Sequence, residues 1–293
     1  MNVPTVLERP AARSRRPAMP RWAGTALKHG TLLFVGLAVA YPFYFMVTSG
    51  LKEFAEATLT PPTLFPQELH FPNFAEAWAK APWPRYFLNT VLVASATTAG
   101  ILVTSVLAAY AFAQMQFKGR AVAFTVLLAT YMMPAEATLI PNFLLMSRRY
   151  LNLYDTYLAL ILPFLASAFA IFLLRQQFRG IPQELRDAAR IDGAGHLRYL
   201  WSVVLPLSVP ALVTLGVISF LASWNSFQWP LIMTSRPDIQ PVQVGLNAFR
   251  GETGSHYHLL MAASAFVVAP VVLLYLVAQR YLVQGVARTG IRG

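Results

Sequence analysis

The chain has 293 residues, 56% of them hydrophobic and only 12% charged, against about a quarter charged in an ordinary soluble domain. A water-soluble globular protein of this size is excluded, and with no cysteine anywhere so are a disulfide framework and thiolate metal ligation. The formal net charge of +11 does not argue for nucleic acid, because the basic residues lie beside apolar windows, as membrane orientation requires.

In chain order, residues 1–24 carry Arg9, Arg13, Arg15, Arg16 and Arg21 among Pro4, Pro10, Pro17 and Pro20, and are expected to form a disordered basic cytoplasmic tail. A first span is expected over 29–51, with Pro42 as a kink. That apolar run is too long for the h-region of a signal peptide, and no small-residue cleavage site follows it. Residues 52–85 hold Pro61, Pro62, Pro66, Pro72, Pro82 and Pro84, which argue against a second full-length helix there. Further spans are expected at 86–113, rich in the small residues that let helices approach closely in lipid; at 121–146, interrupted by Met132-Met133-Pro134 and the acid Glu136; and at 156–174. Residues 175–198 are too charged to cross a bilayer. Spans at 201–224 and 259–279 complete a set of six, with an external loop over 229–258 that is expected to be irregular over 235–258.

Six spans put both termini on one side. If that side is the cytoplasm, sixteen of the 23 Lys and Arg residues face inward, as the positive-inside rule asks. Arg148-Arg149 runs against the rule.

The informative stretch is Ile181-Pro182-Gln183-Glu184-Leu185-Arg186-Asp187-Ala188-Ala189-Arg190-Ile191-Asp192-Gly193-Ala194-Gly195, followed by Val203-Val204-Leu205-Pro206. Pro182 suits a first helical turn, Glu184 and Asp187 favour a helix N-terminus, and Gly193 and Gly195 permit a sharp turn. A short helix over 182–192, a turn and a second amphipathic helix leading into the fifth span follow from this.

Asp187-Ala188-Ala189, Gly193 and Val203-Val204-Leu205-Pro206 resemble the E-A-A, three residues, G, nine residues, I-x-L-P signature of binding-protein-dependent ABC importer permeases. Asp replaces Glu at 187 and Val replaces Ile at 203. The run Ala188 to Ala194 looks like the carbohydrate-uptake branch, and Trp224-Asn225 with Gln279-Arg280 is similar to the maltose and glycerol-3-phosphate permease type. The resemblance covers about residues 80–290.

It implies an all-α, six-span type I transmembrane domain over 25–293 in a bacterial or archaeal cytoplasmic membrane, importing a sugar or related polar solute. The implied partners are a second homologous permease, an ATPase dimer and an extracytoplasmic solute-binding protein. The loop at 180–200 would carry the coupling helix: Asp187, helped by Glu184 or Asp192, would pair with a basic residue of the ATPase, Ala188 and Ala189 would let the helix seat closely, and Gly193 would make the turn. ATP and Mg would be bound by that partner. This chain has no Gly-Lys pair for a P-loop, since none of Lys28, Lys52, Lys80 and Lys118 follows a glycine.

Other candidates have two readings each. Glu136 marks either a transport route or the outer end of the third span. Trp224, Asn225, Gln228 and Trp229 suit sugar hydroxyls or an interfacial aromatic belt. In maltose-type relatives the loop over 235–258 reaches into the binding protein's cleft, and otherwise it is a plain connector. His256 and His258 lack a third ligand for a metal. No catalytic constellation appears, which speaks against a membrane enzyme. A stand-alone secondary transporter would carry its ionisable groups within the spans, whereas here they cluster in one loop.

Overall fold

The computed structural model describes residues 21–251 and 254–287; the first twenty residues of the expected basic tail lie outside the described residues. The chain divides into two units, residues 1–46 and 47–293. The first contains most of helix α1 (Arg21–Gly50), which carries Pro42 within an unbroken helix and starts eight residues before the expected span.

In the second unit the proline-rich segment forms only short helices, α2 (Phe54–Ala57) and α3 (Pro72–Ala79). Helix α4 (Trp83–Gln114) has 32 residues. At 1.5 Å per residue it is about 48 Å long against about 30 Å of hydrocarbon, so its ends reach both interfaces. Then come α5 (Arg120–Tyr131) and α6 (Ala135–Met146), α7 (Tyr157–Ile161) and α8 (Ala168–Arg179), and α9 (Gln183–Ile191). They are followed by α10 (His196–Tyr199), a π-turn at Leu200–Val204, α11 (Leu205–Leu207) and α12 (Val209–Trp224). Helices α13 (Gln228–Met233), α14 (Val242–Gly245) and α15 (Tyr257–Ala287) complete the fold.

Among the described residues three helices are long and apolar enough to cross a membrane by themselves, and three bent pairs bring the number to as many as six when each pair is counted as one span. The interruption expected in the third span is a sharp bend, and the fourth and fifth spans, for which no interruption is expected, bend as well. The third span turns by 96° between α5 and α6, where Pro134 leaves the helical region with ψ 138°; proline cannot continue the hydrogen-bond ladder. The fourth turns by 46° before α8, and the fifth by 80° at Ser208, which is flanked by Pro206 and Pro210.

The irregularity expected over 235–258 is corrected: the loop over 229–258 folds into α13, α14, two 3-10 turns and a two-residue antiparallel ladder pairing Arg250 with Ser255 and Gly251 with Gly254, a small β element in an otherwise helical protein. Trp229, Met233, Ile239, Val242 and Phe249 of this segment are buried, so burial of apolar side chains orders a stretch that its Pro and Gly content had marked as loose.

Among the described residues three buried clusters hold the second unit, one of them joining Val93 of α4 with Met146, Ala159, Leu160, Trp229 and Met233. On the side of the α4 N-terminus, fully buried Trp83 stacks on Phe249 at 6.1 Å and its indole donates to the Ala77 carbonyl. At the other end Ile101, Ala109 and Tyr110 of α4 pack with Leu174 and Phe178 of α8 and with Tyr199, Leu200 and Val204 beyond α9.

Candidate functional site

Helix α9 projects from the cluster that α4 and α8 form with Tyr199, Leu200 and Val204. Glu184 lies in its first turn and Arg190 in its last, each complementing the helix dipole. Pro182 is the residue before the helix rather than its first residue, and Asp187 sits beyond the first turn. The helix ends at Gly193 with φ +74°. The Ala194 N–H donates to the Ala189 carbonyl at 2.8 Å and the Gly193 N–H to that of Arg190 at 3.0 Å, which is a Schellman cap with its left-handed residue at Gly193. Gly195 has φ −71° and needs no such freedom.

The faces of α9 differ. Ala189 is half-buried against the core around Phe178 and Tyr199, whereas Glu184, Asp187, Ala188, Ile191 and Asp192 are exposed. The two alanines therefore do different things: Ala189 seats the helix on its own chain, and only Ala188 is presented outward. Ile191 is 88% exposed, and no ion pair among the described residues involves a charge of α9.

What flanks α9 is tied to α4. Gln114 Nε2 donates to the Phe178 carbonyl at 2.7 Å, Arg175 Nε to that of Phe112 at 3.2 Å, and the Tyr110 hydroxyl lies 2.9 Å from His196 Nδ1. The two arms that leave α9, α8 on one side and α10 to α12 on the other, are thus fastened at the same end of α4.

Further along, the same helices enclose a cavity of about 430 Å³. Its polar lining consists of hydroxyls: Thr90 and Thr97 of α4, Ser167 before α8, Ser219 and Ser223 of α12, and Ser226. Thr97 Oγ1 is buried with no hydrogen-bond partner among the described residues, and a buried hydroxyl requires one. Phe164, Phe169 and Trp229 add aromatic faces, and among the described residues no charged side chain lines the space. These hydroxyls were not singled out from the sequence. Their signal is spacing: 90 and 97 are two helical turns apart, as 219 and 223 are one.

Of the candidates named from sequence, Trp229 lines the cavity, whereas Trp224, Asn225, Gln228 and Glu136 do not. Trp224 is buried between Phe87 and Phe220 at 6.2 and 5.8 Å, one residue past Ser223 and so about 100° further round the helix. Asn225 and Gln228 are exposed, with Asn225 Oδ1 3.4 Å from Gln243 Nε2. Glu136 is exposed in the first turn of α6.

A second feature absent from the sequence reading lies at the end of the cavity toward the α4 N-terminus. Asn89 donates to the carbonyls of Asp238 and Gln240 at 2.9 Å each and accepts from Tyr157 at 2.7 Å, and the Val242 N–H donates to Thr90 Oγ1 at 2.8 Å. Beside it Asp155 accepts from the Ser235 N–H, the Ser235 hydroxyl, the Arg236 N–H and Arg236 Nε at 2.9 to 3.2 Å. Partial burial pulls the Asp155 pKa upward, but these four bonds outweigh it and hold the carboxyl below its ordinary value of 3.8. A lowered folded-state pKa means that the latch contributes stability above the ordinary value and loses it as pH falls through the folded one. Asp155→Asn should therefore unfold at lower temperature than the parent at neutral pH, with the two curves converging below the ordinary Asp value. Thermal melts across that range check this; a constant gap at every pH would show that the charge is not the cause.

Comparison with known proteins agrees with this architecture. Residues 96–288 match the family model described as binding-protein-dependent transport system inner membrane component. The chain is 34% identical over 263 residues, 87% of its length and 93% of the relative's, to the sn-glycerol-3-phosphate transport system permease protein UgpE of Yersinia pestis bv. Antiqua (strain Antiqua). It is 32% identical to the arabinooligosaccharides transport system permease protein AraQ of Halalkalibacterium halodurans, over 89% of its length and 94% of that protein's. A crystal structure of a bacterial ABC transporter that imports the acidic polysaccharide alginate contains a chain superimposing with a TM-score of 0.77 at 25% identity, over 91% of this chain and 99% of that one. With a matching model over most of its length and relatives sharing a third of its residues, the chain belongs to the binding-protein-dependent transport system inner membrane components, the membrane-spanning permeases of ABC importers.

Proposed function

We propose that this permease forms half of a translocation pathway for a neutral polyhydroxylated solute and is driven through α9 by a separate ATPase. The observation that carries the reading is the continuity between the two sites. Both arms leaving α9 run to the cavity, with Ser167 and Phe169 on one and Ser219 and Ser223 on the other. A displacement of α9 is therefore a displacement of two cavity walls against α4, to which both arms are fastened.

The chemistry of each end supports its role. Helix α9 offers charges with no ion-pair partner among the described residues, suited to a docking cleft with basic groups for Asp187, Glu184 and Asp192. The cavity offers hydroxyls and aromatic faces, which suit sugar hydroxyls and sugar ring faces. The similarity to UgpE favours a second reading, glycerol-3-phosphate. The absence of any cationic side chain from the lining weighs against it, because a phosphate taken out of water needs charge-assisted partners. In this reading the partners are a second permease, the ATPase dimer that holds ATP and Mg, and an extracytoplasmic binding protein that meets the face carrying the Asp155 latch.

Asp187→Lys tests the drive. The variant should insert and pair with the second permease while losing most of the co-purifying ATPase. Retention of the ATPase at the parental ratio would overturn the docking role of α9.

A further inference from the structure

We infer that the basic cluster where α5 meets α8 is a binding site for the headgroup of an anionic phospholipid; its side in the membrane rests on the orientation proposed above. The cluster joins Arg120 at the start of α5 with Arg175 and Arg179 one turn apart on α8. Arg175 lies in the repulsive field of both other guanidiniums. It is held there rather than splayed away: its guanidinium sits 3.9 Å from the centre of the Phe124 ring and its Nε donates to the Phe112 carbonyl at 3.2 Å. Arg120 is fixed by a 2.8 Å bond from Nη1 to the Met115 carbonyl.

Among the described residues no carboxylate pairs with any of the three, and beyond the Arg175 Nε bond neither Arg175 nor Arg179 donates a side-chain hydrogen bond there. Arg175 held by packing, Arg120 by its bond to the Met115 carbonyl and an exposed Arg179 one turn away place three positive charges together without a counter-ion among the described residues, which calls for an external anion. The surroundings say which one. Phe172, stacked on Phe124, and Phe117, against Phe112, are 38% and 45% exposed, an apolar surface suited to acyl chains rather than water. Basic groups between transmembrane helices at the cytoplasmic level recognise anionic lipid headgroups, and the aromatic cage of Phe112, Phe124 and Phe172 fixes the geometry. A free phosphate would find the charges but have no use for that apolar wall.

The test is native mass spectrometry of the assembled importer released from bilayers of phosphatidylcholine with phosphatidylglycerol. The parent should retain phosphatidylglycerol, and Arg175→Gln with Arg179→Gln should weaken retention about fivefold for each charge removed, equivalent to about 1 kcal/mol per basic residue. Because Arg175 also packs, Arg179→Gln alone is the milder variant, expected to show the single fivefold loss with parental thermal stability. Full retention in both variants overturns the site. So does loss of a partner subunit from intact Arg179→Gln particles, which would make the cluster a protein interface. Displacement of the lipid by inorganic phosphate at equal concentration would assign the site to a free anion and overturn the lipid as occupant.

Discussion

Gly193→Val should reduce solute uptake to background in importers that assemble normally, while Gly193→Asn should keep most of it. The expectation rests on backbone conformation alone. Apart from its immediate chain neighbours, no atom of the described residues lies within 4 Å of where a Cβ at 193 would sit, so the substitution meets no clash. What it meets is a φ of +74°, which costs an L-residue about 1–2 kcal/mol and a β-branched one more. A cost of that size shifts the local equilibrium by about five- to thirtyfold away from the Schellman cap that stops α9 and redirects the chain into α10. Asparagine tolerates the left-handed region and so separates the turn from the mere absence of a side chain. Uptake and ATPase activity are measured together: hydrolysis continuing without uptake in the valine variant is the expected signature. Parental uptake in that variant would remove α9 as the coupling element. Failure of asparagine alongside valine would instead mean that the partner's cleft tolerates no side chain there.

The family, the six crossings and the position of α9 were legible because they rest on local signals: long uncharged windows, a proline-punctuated loop, and a motif of fixed spacing ending in glycine. What was not legible is tertiary. The 96°, 46° and 80° bends sit at prolines and serines that the sequence shows, but a proline in lipid is compatible with a kink, a break or an unbroken helix, as Pro42 within α1 demonstrates. The latch at Asp155 joins residues 80 apart, beyond any periodic signal. Trp224 was chosen for its chemistry and proved to be core, because which side of α12 faces the cavity depends on how α12 packs against α4. The hydroxyls of that cavity were invisible for the converse reason: serine and threonine in an apolar window read equally well as small packing residues.

Ser219→Phe should abolish uptake without releasing the ATPase. Ser219 lies on the α12 wall of the cavity and is nearly buried, so a phenyl ring there projects into the space that a solute must traverse, and the hydroxyl it replaces has no fixed partner whose loss would confuse the result. A companion variant distinguishes obstruction from damage. Thr97→Val keeps the shape of the side chain and removes a hydroxyl that has no hydrogen-bond partner among the described residues, so folding loses no bond and stability should hold or rise. If that hydroxyl serves a passing solute, apparent KM should climb several-fold, in line with about 0.5–1.5 kcal/mol for one neutral hydrogen bond, with Vmax little changed. The readout is uptake of labelled neutral oligosaccharides and of glycerol-3-phosphate by reconstituted importer. Unaltered transport in Ser219→Phe would exclude the cavity as the route. A parental KM in Thr97→Val for every solute would confine Thr97 to packing. Stronger uptake of glycerol-3-phosphate than of any neutral sugar would show that charge for the phosphate comes from the second permease, since no residue lining this cavity supplies it.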